Sequence, residues 1–63
     1  MSDYRFYDML RAQLNEEITA KAGDVAIGIA TDYADYKLRC GRIEGLREAL
    51  ACAEDVFKKI TGN

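Results

Sequence analysis

Tyr36-Lys-Leu-Arg-Cys-Gly-Arg-Ile-Glu-Gly-Leu-Arg-Glu-Ala-Leu-Ala-Cys-Ala53 decides the fold of this chain. Tyr36, Ile43 and Leu50 recur every seven residues and Phe57 continues the series. Leu46, Ala53 and Ile60 follow at an offset of three. That spacing places one apolar stripe on one face of a helix. Beside it run Gly41, Gly45 and Ala49, four residues apart, with Cys52 or Ala53 a turn further on. Each glycine inside a helix costs about 0.8–1.0 kcal/mol relative to alanine. Two of them one turn apart call for a compensating close approach by a backbone or a large ring.

The helix carrying this stretch is expected from about Thr31 to Thr61. Thr31 suits an N-cap, with Asp32 and Asp35 in the first turn, where negative charge meets the positive end of the helix dipole. Lys58 and Lys59 occupy the last turn and Gly62 lies just beyond. Asp35 with Arg39, Glu54 with Lys58 and Asp55 with Lys59 are spaced by four, acid first, each worth about 0.2–0.5 kcal/mol.

Upstream, Tyr7, Leu10, Leu14 and Ile18 recur at three- and four-residue spacing, flanked by Phe6, Met9 and Ala22. Ser2 suits an N-cap and Asp3 the first turn. Lys21 suits the last turn and pairs in sequence with Glu17, and Gly23 is placed to stop the helix. These features predict a first helix from about Asp3 to Ala22. Residues Gly23 to Thr31 stay open to three readings. Val25, Ile27 and Ile29 alternate as in a strand, but no partner strand is available. A connection whose apolar side chains tuck into the hairpin, an exposed docking loop, and an early start of the second helix all accommodate them.

The fold class is therefore all-α: one domain over 1–63, an antiparallel two-helix hairpin with helices at about 3–22 and 31–61. Setting Ala22 opposite Thr31 brings Tyr4 beside Ala49. It leaves about a dozen residues of the second helix, roughly 18 Å, overhanging. Val56, Phe57 and Ile60 lie on that overhang. A chain of this length buries only about 60% of its unfolded surface, so it is marginal alone. Self-association into a homo-oligomer, or docking on a larger protein, is expected. The expected interface is Gly41, Gly45, Ala49, Val56, Phe57 and Ile60, with Tyr33 and Tyr36 as aromatic anchors. By the same register Gly41 faces Ala12, so intrachain packing competes with a subunit contact as the reason for the glycines.

Composition narrows the chemistry. The 63 residues contain no histidine, proline or tryptophan, and their net charge is −2. No nucleophile–base pair is visible, and Glu16 with Glu17, or Glu44 with Glu48, read as solvated surface. No catalytic, cofactor-binding or metal-binding residue is expected. Cys40 and Cys52 lie about 18 Å apart on one helix, too far for a disulfide, and read as free buried thiols of a reducing compartment. Lys37, Arg39, Arg42 and Arg47 spread around their helix instead of concentrating outward, which argues against a nucleic-acid-reading helix. Met1-Ser-Asp-Tyr-Arg-Phe-Tyr7 has no basic region followed by an apolar run, and no stretch approaches the roughly 20 apolar residues of a membrane span, so neither a leader nor a span is expected.

Asp32 to Leu50 resembles a pattern in short helical proteins of tailed bacteriophages, encoded among the head and portal genes. The shared elements are the spaced tyrosines Tyr33 and Tyr36, Arg39-Cys40-Gly41, and Gly45-Leu46-Arg47-Glu48-Ala49-Leu50. The resemblance implies a non-enzymatic virion or assembly component, packed in symmetric copies on capsid, portal or tail proteins. It would reside in the virion, and in the host cytoplasm during assembly. The competing expectations are a regulatory adaptor for one protein partner and a small nucleic-acid-binding dimer.

Overall fold

A computed structural model describes residues 2–62, with side chains from Tyr4 onward. Two helices, α1 (Ser2–Ala26) and α2 (Tyr33–Thr61), pack against each other in an elongated hairpin of 45 × 15 × 12 Å. The all-α hairpin matches the sequence expectation. The capping role of Ser2 and the first-turn charge of Asp3 lie outside the described side chains.

The helix boundaries differ from expectation in an instructive way. Gly23 does not end α1. The helix runs through it for another turn, and Gly28 takes the left-handed conformation at φ 79°. Gly28 N–H donates to the Val25 carbonyl at 3.1 Å and Ile29 N–H to the Asp24 carbonyl at 3.2 Å. This pair of bonds is a Schellman motif, which satisfies carbonyls that the helix end would otherwise leave free. The Val25–Ile29 segment is thus neither a strand nor an early second helix. Val25 belongs to α1 and is half-buried, while Ile27 and Ile29 are exposed on the turn.

The N-cap of α2 is Asp32, not Thr31. Asp32 is extended, and its carboxylate accepts from the Asp35 backbone N–H at 2.8 Å. Asp35 reciprocates one residue further back, accepting from Thr31 N–H at 3.0 Å and from Arg39 Nε at 3.1 Å. The backbone amide and then the guanidinium hold the Asp35 carboxyl below the usual carboxylate range. At the far end Gly62 is left-handed and donates to the Lys58 carbonyl. Glu17 pairs with Lys21 at 3.3 Å and Asp35 with Arg39. Glu54 with Lys58 and Asp55 with Lys59 form no ion pair among the described residues.

Because α1 ends later and α2 starts later than the spacing suggested, the hairpin turns further along the chain. Tyr4 meets Phe57, not Ala49, a register change of about 12 Å. The expected overhang at Phe57 therefore does not exist. Phe57 is stacked by Tyr7 at 4.1 Å between ring centroids and met edge-on by Tyr4 at 5.3 Å.

The seam joins half-buried Tyr7, Leu10, Leu14, Ile18 and Val25 to Ile43, Leu46, Leu50, Ala53 and Phe57. Tyr36 and Ile60 leave it at opposite ends, at 43% and 60% exposure. A seven-residue repeat drifts by about 20° per heptad on a straight α-helix, so the ends of a long stripe rotate off the contact line. Among the described residues no side chain, apolar or polar, is buried. The hairpin has a seam but no core.

Candidate interaction surface

With helical residues about 100° apart, Ala34, Leu38, Gly41, Gly45, Ala49, Cys52 and Val56 fall within about 40° of the direction of Gly45. The seam lies about 120° away around the same helix. All seven residues of this second strip are exposed. A Cβ built on Gly41 or Gly45 meets nothing within 4 Å. Gly41 therefore does not pack on Ala12, and intrachain packing does not account for either glycine. The strip is uncharged over about 33 Å of helix.

At the end formed by the start of α1 and the end of α2, the strip opens into an apolar groove of about 370 Å³ between the helices. Ala49, Cys52 and Ala53 line it with small side chains, and Phe57 contributes its ring. Phe6 and Leu10 border it from α1, and Val56 and Ile60 from α2. Phe6 is 69% exposed, Ile60 60% and Val56 52%. Farther along the hairpin Lys21, Asp24, Arg39 and Arg42 surround a hollow of about 80 Å³ carrying both signs of charge. A third hollow, lined by Tyr7, Arg11, Glu54, Phe57, Lys58 and Thr61, mixes these rings with charged side chains.

Of the residues singled out from sequence, Ala49, Val56, Phe57 and Ile60 come together at the groove, and Gly41 and Gly45 extend its line along α2. Tyr33 and Tyr36 do not join them. They stack on each other at 6.3 Å near the turn, about 120° and 180° around the helix from the strip. Cys52, expected as a buried thiol, is exposed in the groove, while Cys40 is half-buried. Phe6 is a groove residue that spacing alone does not assign to the interface, because its placement depends on the register of α1 on α2, and Leu10 of the seam borders the groove as well. The usable signal was Phe6, an apolar residue one helical turn before Leu10 of the seam.

No family model, curated protein or solved structure matches the chain. The surface must therefore be interpreted from its own chemistry. The groove is apolar and open, and the ionisable side chains in its lining are Cys52 and Tyr7. Such a surface suits the side chains of another helix.

Proposed function

We propose that this chain is a non-enzymatic assembly protein that acts through helix packing, with the groove face as its contact surface. The observation that carries the reading is the absence of any buried described residue beside an exposed apolar strip and groove. Monomeric soluble proteins rarely expose large contiguous apolar patches unless these bind something. Fully covering Val56, Ile60 or Phe6 is worth about 1.5–3 kcal/mol each, enough to decide whether so small a hairpin stays folded. The resemblance of residues 32–50 to short tailed-phage proteins suggests the setting: a virion or virion-assembly component contacting capsid, portal or tail proteins, made in the host cytoplasm.

Quantitative mass spectrometry of purified particles and assembly intermediates of the phage encoding the chain tests this. A fixed copy number per particle, lost with Val56→Asp, is expected. Absence from both particles and intermediates would remove the virion setting. A freely monomeric, cooperatively folded chain would remove the assembly reading itself.

A further inference from the structure

We infer that the groove face is covered by a second copy of this chain, the two hairpins closing into an isologous four-helix assembly about a twofold axis. The inference rests on the reading of that face as a contact surface, and two observations point to a second copy as its occupant.

The first is area. The chain exposes 4880 Å². A compact monomer of its mass exposes roughly 4,100 Å². The excess of about 800 Å² equals one partner's share of a standard-size stable interface. The broad side of the hairpin, 45 by 15 Å, projects to about 700 Å², close to that share.

The second is the shape of the groove. Bulky, exposed Phe6, Val56 and Ile60 border a hollow lined by the small side chains of Ala49, Cys52 and Ala53. A twofold axis sets residue i against j and j against i, so one patch must supply both protrusion and recess. This patch does. Exposed Gly45 and Gly41 continue the same face, where the two α2 backbones can approach closely.

Sedimentation of the intact chain over a wide concentration range tests the inference, with thiol labelling of Cys40 and Cys52 followed separately by mass spectrometry. The expected result is a helical species of twice the chain mass. In it Cys52 labels about tenfold more slowly once nine-tenths of the chains are paired, because labelling follows the free fraction. Cys40, half-buried and about 140° from the strip, changes little. Val56→Asp should return the mass to one chain, and Tyr33→Ser should not. A dimer whose Cys52 labels equally fast at all concentrations overturns the inference, as does a mass of three or more chains. A monomer that is only partly helical, with Cys52 open, overturns it while leaving a different protein as the occupant. A monomer that melts cooperatively overturns both readings.

Discussion

The Tyr7 ring lies on the Phe57 ring at 4.1 Å between centroids and 13° between planes, with Tyr4 edge-on to the same ring at 5.3 Å. This three-ring cluster closes the open end of the hairpin and fixes the register of α1 on α2. Aromatic pairs in such geometries contribute about 0.5–1.5 kcal/mol beyond the area they cover. Phe57→Ala should therefore destabilise the hairpin by about 3 kcal/mol, at the low end for a large aromatic because the site is half-buried. Tyr7→Leu keeps much of the apolar cover and should cost about 1 kcal/mol. Urea unfolding followed by circular dichroism measures both. A Tyr7→Leu chain as stable as the parent would show that stacking contributes nothing there.

The two glycines near the turn should respond oppositely to alanine. Gly28 sits at φ 79° in the Schellman motif, where a Cβ meets its own carbonyl, so Gly28→Ala should cost about 1–2 kcal/mol. Gly23 lies within α1 with open space at its Cβ position. Gly23→Ala should therefore gain about 0.8–1.0 kcal/mol. Thermal melts of the two variants against the parent decide it. If Gly23→Ala were the more damaging, the helix would stop where the sequence spacing first placed its end.

Gly45 separates folding from assembly. A Cβ there meets nothing within the chain, so Gly45→Ala should raise the helicity of the isolated hairpin, by about 0.8–1.0 kcal/mol. Gly45→Leu should leave helicity intact but weaken association about tenfold or more, since one overpacked methylene-rich contact costs about 1–3 kcal/mol. Circular dichroism at low concentration and sedimentation at high concentration give the two readouts. Unchanged association in Gly45→Leu would take the glycine strip out of the interface.

The start of α2 should be sensitive to acid. The Asp35 carboxyl is held below its usual value by the Thr31 amide and by Arg39, so its folded pKa lies below its unfolded one. The stability it contributes is present above the unfolded carboxylate value of about 3.9 and is lost as pH falls through the folded one. Helicity of the parent should decline over that acid range, and Asp35→Asn should show a shallower decline. An identical acid profile in the two chains would show that this carboxyl is not linked to folding. Asp32→Ala removes the N-cap acceptor itself and should cost about 1 kcal/mol at neutral pH.

Helix existence was legible from local pattern, because Leu10, Leu14 and Ile18 in one segment and Ile43, Leu46 and Leu50 in the other repeat at helical spacing whatever they pack on. The caps were legible to within a few residues. Asp32 and Thr31 are both competent acceptors, and Gly23 and Gly28 are both competent stops. Which member of each pair acts depends on where the helix remains favourable, a choice single residues do not encode. The later end of α1, by four residues, and the later start of α2, by two, move the register together and bring Phe57 under Tyr4.

The sequence by itself determined two long helices, a continuous apolar seam, and a separate strip of small residues on α2. Each is a property of spacing along one helix, set by its 3.6-residue turn. Only the tertiary structure decided which of those faces the hairpin uses. It closed Phe57 under Tyr4 and Tyr7, and left Gly41 and Gly45 open beside a groove bordered by Phe6, Val56 and Ile60. The physical reason is that register is set jointly by the turn and by the rings that meet across the seam. A helix can display two apolar faces in its sequence, but a single neighbouring helix covers only one of them.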